Sequence, residues 1–192
     1  MTLLVGSAAL DQSLLIYYLK EATRVIAVDG GLNHLETVGS KADIILGDFD
    51  SYHGKLPLDA KIFPKEKNFS DMEAALALIE KEEAVILGAT GGRLDHFLSV
   101  LSLIRKRENI QLIDGQNRIF YRQGEFTLKK EEGYFSLFPQ QPTLISIEGA
   151  KYNLNGAPVS SDNGLLLSNQ WAGDVNIRVE SGWVLVVLSR DK

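Results

Sequence analysis

Asp48 and Asp50 stand two positions apart in the run Gly47-Asp48-Phe49-Asp50-Ser51. In an extended segment that spacing points both side chains to one face. Two carboxylates held that close repel each other unless a cation lies between them. Hard oxygen ligands of this kind suit Mg²⁺, which takes one or two carboxylates together with substrate phosphates. The other reading is a turn, where Asp and Ser are both frequent. Asp29, in Asp29-Gly30-Gly31, adds a third carboxylate at a neighbouring strand end and favours the metal reading. Asp71 follows Ser70 at a predicted helix start. It either stabilises that helix end, worth about 0.3–1 kcal/mol at an exposed site, or supplies a further carboxylate to the same cleft.

Gly91-Gly92-Arg93 precedes a second predicted helix. Glycines let a backbone approach a phosphate, a helix N-terminus favours anions, and the guanidinium fork of Arg93 matches phosphate oxygens. A tight strand-to-helix turn with a surface arginine is the plainer alternative. Neither the Walker phosphate-loop pattern nor the dinucleotide GxGxxG pattern occurs. His34, His53 and His96 are scattered without zinc-ligand spacing, and no serine sits in a GxSxG elbow. His96 follows Asp95 inside a chemistry-bearing motif, but on a helix it also reads as a structural side chain. Ser168-Asn169-Gln170-Trp171 reads as a polar loop, and its tryptophan as a core anchor or a flat face for a cationic ligand.

These residues need elements to hold them. Thr2 to Val5, Arg24 to Val28, Ala42 to Leu46, Ala84 to Leu87 and Asn109 to Ile113 read as buried strands. Leu14 to Lys20 reads as part of a helix. Ser70-Asp71-Met72-Glu73 is a capping-box signature, followed by apolar Met72, Ala75, Leu76 and Ile79 at helical spacing. Leu94, Phe97, Leu98 and Leu101 repeat that spacing. Strands alternating with helices predict an α/β fold: an open, mainly parallel sheet with helices on both faces. Ligands of such sheets bind beyond the carboxyl ends of the strands, where Asp29, Asp48 and the Gly88-to-His96 run fall.

After Gly124 the helical period stops. Glu125 to Lys129, Tyr134 to Phe138, Leu144 to Glu148, Leu165 to Leu167, Val175 to Val179 and Trp183 to Leu188 read as short strands. They predict a small antiparallel all-β sandwich. The expected domains are residues 1–123 and 124–192.

The chain has 192 residues and a net charge of −5. The acidic balance argues against a nucleic-acid partner. No apolar run approaches the roughly 20 residues of a membrane helix, and MTLLVGSAAL has no basic segment of the kind that opens a signal peptide. The absence of cysteine excludes disulfides, thiolate metal sites and thiol nucleophiles, and fits a reducing cytoplasm.

Taken in order, Asp29-Gly30-Gly31, Gly47-Asp48-Phe49-Asp50-Ser51, Ser70-Asp71, Gly91-Gly92-Arg93-Leu94-Asp95-His96 and Ser168-Asn169 resemble the thiamine pyrophosphokinase family over nearly the full chain. The resemblance implies transfer of a pyrophosphoryl group from ATP to the thiamine hydroxyl, giving thiamine diphosphate and AMP, with Mg²⁺ as cofactor. It implies a homodimer with active sites between subunits, a nucleotide-binding catalytic domain and a thiamine-binding β domain. It puts Asp29, Asp48, Asp50 and Asp71 around metal, with Asp48, Asp50, Asp71 and Arg93 as the catalytic set. It puts Asp29, Gly30, Gly91, Gly92, Arg93, Asp95 and His96 on the nucleotide side. Asp50, Ser168, Asn169 and Trp171 fall on the thiamine side. Two positions depart from the family's usual pattern: Asn68, where an Asp is frequent, and Gln170, where a Glu is frequent. The rival readings are a Mg²⁺-dependent phosphohydrolase or nucleotidyltransferase using the same acidic cluster, or a non-catalytic thiamine- or nucleotide-binding protein.

Overall fold

The computed structural model describes every residue except 51, 53, 163 and 192. Ser51 of the acidic motif and His53 therefore lie outside the described residues. The chain divides into two compact units, residues 1–105 with 109–115, and residues 106–108 with 116–192.

The first unit is built on a parallel sheet of β1 (Thr2–Val5), β2 (Arg24–Val28), β3 (Ile44–Gly47), β4 (Lys61–Ile62), β5 (Ala84–Leu87) and β6 (Ile110–Ile113), in the order β6-β5-β1-β2-β3-β4. β1, β2, β3, β5 and β6 are short and mainly apolar because both faces are covered, whereas the two-residue edge strand β4 is exposed. Leu3, Val5, Val25, Ala27, Val85 and Leu87 point to one face and pack with Leu15 of α1 (Gln12–Glu21) and Leu32 and Leu35 of α2 (Gly31–Thr37). Leu4, Ile26, Leu46 and Ile86 alternate to the other face and are also buried. There α3 (Asp71–Leu76) packs on β2, β3 and α4 (Leu94–Leu103).

Ser70 is the N-cap of α3 as predicted: its Oγ accepts a hydrogen bond from Glu73 N at 3.1 Å. The helix at α4 also forms, but its apolar stripe is not its buried face. Leu94 and Leu98 are 75% and 59% exposed, while Val100 and Ile104 at the helix end are buried. Periodicity marks a shared face and does not say what covers it.

The second unit is antiparallel, with β7 (Asn117–Leu128), β8 (Tyr134–Pro139), β9 (Thr143–Ala150), β10 (Leu154–Val159) and β11 (Asn169–Ser189). The order is β10-β9-β11-β7, with β8 also pairing with β11. Phe135, Ile145, Ile147, Val175, Ile177, Val184 and Val186 form its core. Two expectations change here. Leu165 to Leu167 is a turn segment, with only Leu166 buried. The stretch from Asn169 is strand and not loop, the first part of a 21-residue β11. β10 forms despite Gly156 and Pro158, which is tolerable where a strand pairs on one side only.

Candidate functional site

The carboxyl ends of β1, β2, β3 and β5 open onto a cleft of about 670 Å³. Asp29, Asp48, Asp50, Asp71, Gly92, Arg93, Asp95 and His96 line it, together with Lys65, Lys67 and the Gly6-Ser7-Ala8 segment after β1. Gly30 and Gly91 are not among the lining residues. Gly30 is the N-cap of α2, and Gly91 turns the backbone at φ 74°.

Three carboxylates converge. One oxygen each from Asp29, Asp48 and Asp50 lies within 4.8 Å of the others. The backbone is bent to achieve this. Asp29 and Phe49 adopt φ values of 49° and 55°, a left-handed conformation unusual for non-glycine residues and frequent at functional sites. Gly47 makes the approach possible: a Cβ there would lie 2.8 Å from Asp29 Cα. Three hard oxygen donors within this span fit a Mg²⁺ ion.

Asp71 lies outside that triad and is tied to it through a cation. Lys67 Nζ sits 3.0 Å from Asp48 Oδ2 and 3.3 Å from Asp71 Oδ1, and also donates to the Pro64 carbonyl at 3.3 Å. Burial works against the Asp48 charge. The Lys67 ammonium and the Asp50 N–H, which donates to Asp48 Oδ1 at 3.3 Å, outweigh it, and Asp48 titrates below the usual carboxylate range. At Asp71 burial wins over Lys67, and the neighbouring Asp48 and Asp29 charges add to it, so its pKa is raised. Lys67 itself is held protonated by its two partners despite burial.

At the start of α4, Arg93 occupies the N-cap position and forms a bidentate pair with Asp95, Nε to Oδ1 at 3.1 Å and Nη2 to Oδ2 at 2.6 Å. The hydrogen bonds from Arg93 hold the Asp95 carboxyl below its ordinary pKa. Asp95 Oδ1 also accepts from His96 N at 3.0 Å. Both members of the pair are well exposed at the cleft edge.

Ser168, Asn169 and Trp171 belong to the second unit. Asn169 is buried, and its side chain is committed to the chain: Oδ1 accepts from Tyr152 N and Gln170 N, and Nδ2 donates to the Tyr152 carbonyl. Ser168 turns the backbone at φ 54°, with its N–H on Ser136 Oγ. The Trp171 ring packs on Phe135 at 4.9 Å between centroids. Its buried Nε1–H has no hydrogen-bond partner among the described residues.

Family models match both parts of the chain: the thiamin pyrophosphokinase catalytic domain over residues 15–113, and the thiamin pyrophosphokinase vitamin B1 binding domain over residues 124–184. The chain belongs to the thiamin pyrophosphokinase family. A thiamine pyrophosphokinase of Bacillus subtilis is 33% identical over 172 residues, covering 80% of each chain. The crystal structure of thiamine pyrophosphokinase from Bacillus subtilis superposes with a TM-score of 0.86 at 27% identity, covering 100% of both chains. That of thiamin pyrophosphokinase from Geobacillus thermodenitrificans superposes at 0.84 and 26% identity, covering 100% of this chain and 99% of the other.

For this member of the thiamin pyrophosphokinase family, sequence reasoning alone passed over Lys65, Lys67 and the Gly6-Ser7-Ala8 segment. A lysine before a helix reads as a solvated charge, and nothing local signals that Lys67 turns inward. Gly6 was detectable by the rule that found the others, since it directly ends β1. A Cβ at Gly6 would lie 2.6 Å from the Gly88 carbonyl oxygen, and one at Gly88 would lie 2.4 Å from that of Gly6. The two strand ends can approach this closely only as glycines.

Proposed function

We propose that this chain is a thiamine diphosphokinase that transfers the terminal pyrophosphoryl group of ATP to the thiamine hydroxyl, releasing AMP. The observation that carries the reading is the convergence of Asp29, Asp48 and Asp50 within 4.8 Å in a chain whose two parts match the two domains of this family.

Bond making and breaking are simple to state. The thiamine oxygen bonds to the β-phosphorus, the bond from that phosphorus to the oxygen bridging to the α-phosphorus breaks, and AMP leaves with that oxygen. The hydroxyl proton passes to a cleft carboxylate. Catalysis of such a transfer is mainly positioning and charge neutralisation. Asp29, Asp48 and Asp50 would hold Mg²⁺, which when bound neutralises phosphate charge. Asp71 keeps Lys67 in place beside Asp48. Arg93 exchanges the Asp95 carboxylate for a nucleotide phosphate, supported by Gly91, Gly92 and the start of α4, with Gly30, Asp95 and His96 on the same side. Ser168 and Asn169 shape the thiamine-side turn, and the flat, half-buried Trp171 suits a cationic aromatic substrate.

The finer reading has residues 1–123 as the nucleotide-binding catalytic domain and 124–192 as the thiamine-binding domain, working in a cytoplasmic homodimer with sites between subunits. The exposed apolar side chains of Leu94 and Leu98 in one unit, and of Leu165 and Leu167 in the other, support a covered surface of this kind. No helix among the described residues is long and apolar enough to cross a membrane.

The test is metal and residue dependence of thiamine-driven AMP release. EDTA should stop release and Mg²⁺ restore it. Asp50→Asn should cut kcat by at least ~10²-fold with an unchanged circular dichroism spectrum. Near-normal turnover of Asp50→Asn, or turnover in EDTA, contradicts the reading.

A further inference from the structure

Asp48 and Asp50 sit on an irregular segment after β3, where nothing in the sheet fixes them. Phe49 between them is held at φ 55°. Such a conformation persists only where the surroundings over-determine it. The residue that does so lies two positions beyond Asp50. Tyr52 is only 8% exposed, and its ring meets that of Phe49 edge-on at 6.4 Å between centroids. Its backbone N–H donates to the Phe49 carbonyl at 3.2 Å. Its hydroxyl donates to Glu36 Oε1 at 2.6 Å, the short distance of a charge-assisted bond. The ring can lie there because position 54 is glycine, where a Cβ would come within 2.2 Å of the Tyr52 hydroxyl oxygen.

Glu36 belongs to α2, whose N-cap Gly30 directly follows Asp29. One hydrogen bond therefore joins the segment bearing Asp48 and Asp50 to the helix whose N-cap directly follows Asp29. We infer that the Tyr52–Glu36 hydrogen bond is a latch that fixes the spacing of the Asp29, Asp48 and Asp50 carboxylates and so tunes their affinity for a divalent cation. Tyr52 and Glu36 are not among the cleft-lining residues. They are positioning residues acting through the acidic loop. The inference rests on the proposal that this triad holds the metal.

Outer-sphere partners of metal ligands commonly govern affinity by ~10–100-fold. Tyr52→Phe keeps the ring and its contact with Phe49 while removing the latch. The nucleotide-free protein is titrated with Mn²⁺, a carboxylate-seeking stand-in for Mg²⁺, and bound ion is read by electron paramagnetic resonance. Tyr52→Phe should weaken Mn²⁺ binding about tenfold and raise the Mg²⁺ concentration needed for half-maximal turnover similarly. At saturating Mg²⁺ its kcat should return to within about twofold of wild type, since the ligands themselves remain. Glu36→Ala should match it, Glu36→Gln, which keeps an acceptor oxygen, should stay near wild type, and Tyr52→Phe with Glu36→Ala should be no worse than either.

Asp50→Asn, run alongside, separates the two claims. If wild type binds no Mn²⁺ saturably, or Asp50→Asn binds as tightly as wild type, the metal reading fails and takes the latch with it. If Asp50→Asn weakens binding while both Tyr52→Phe and Glu36→Ala bind as wild type, the latch alone is refuted.

Discussion

Lys67 places its ammonium 3.0 Å from Asp48 Oδ2 from a side chain only 8% exposed, an interior cation set directly beside a carboxylate that converges with two others. Without it, Asp48 and Asp71 would face each other uncompensated in a partly buried site. Lys67→Met should therefore destabilise the metal-free protein by about 1–3 kcal/mol, the cost of leaving partly buried charged partners unpaired. Part of that loss should return on adding Mg²⁺, which would supply positive charge to Asp48. Urea unfolding in EDTA and in excess Mg²⁺ measures both. Equal stability of Lys67→Met and wild type in EDTA would show that the ammonium is not needed to hold the cluster.

Gly47→Ala should be disproportionately harmful for so small a change. The added Cβ would meet the Asp29 backbone at 2.8 and 2.9 Å, and backbone cannot swing aside as a side-chain tip can. A loss of about 1–3 kcal/mol is expected from the overpacking. Divalent-ion binding should fall with it, because Asp29 is the group displaced. Thermal unfolding together with Mn²⁺ titration checks both. Unaltered ion binding would show that Asp29 does not depend on this contact.

Trp171 invites a two-variant comparison. Trp171→Phe keeps an aromatic ring against Phe135 and deletes a buried N–H that has no protein partner among the described residues, so stability should stay within ~1 kcal/mol of wild type. Trp171→Ala empties the site and should cost ~2–4 kcal/mol, below the full-core range because the ring is half-buried. If the ring also stacks on thiamine, KM for thiamine should rise sharply for the alanine variant and modestly for phenylalanine. Identical KM values for all three proteins would leave Trp171 as a packing residue only.

Asp174 gives a pH signature away from the cleft. The hydrogen bond from Lys129 Nζ at 2.8 Å, with a further one from Lys130 N, holds its carboxyl below the ordinary Asp value. A carboxyl depressed in the folded state contributes stability that is fully present above the unfolded pKa and is lost as pH falls through the folded one. Asp174→Asn should thus be slightly less stable than wild type at neutral pH, with the gap closing as the pH drops below the usual carboxylate range. The pair is exposed, so the gap is small. Parallel stability curves down to strongly acidic pH would refute the assignment.

The strand ends were the legible part of this molecule. Short apolar runs stopping at Asp and Gly located Asp29, Asp48 and the approach to Arg93 before any geometry was known, and Ser70 with Glu73 marked the start of α3 correctly. The less legible features share a physical cause, namely that they depend on what lies opposite a residue. Lys67 looks like any solvated lysine until the fold turns it between two carboxylates. Tyr52 looks like an ordinary loop aromatic until Glu36 meets it from α2. Leu94 and Leu98 have helical spacing but stay exposed among the described residues. β11 reads as separate pieces because Gly173 and Gly182 punctuate it and its pairing shifts register between Val179 and Trp183.

The most direct test of the account is product identity. The purified protein is incubated with ATP, Mg²⁺ and thiamine, and nucleotides and thiamine species are separated by chromatography. The account predicts AMP and thiamine diphosphate in equal amounts, formed only when all three components are present. ADP with thiamine monophosphate would place the attack on the γ-phosphorus and contradict it, as would ATP breakdown that proceeds without thiamine.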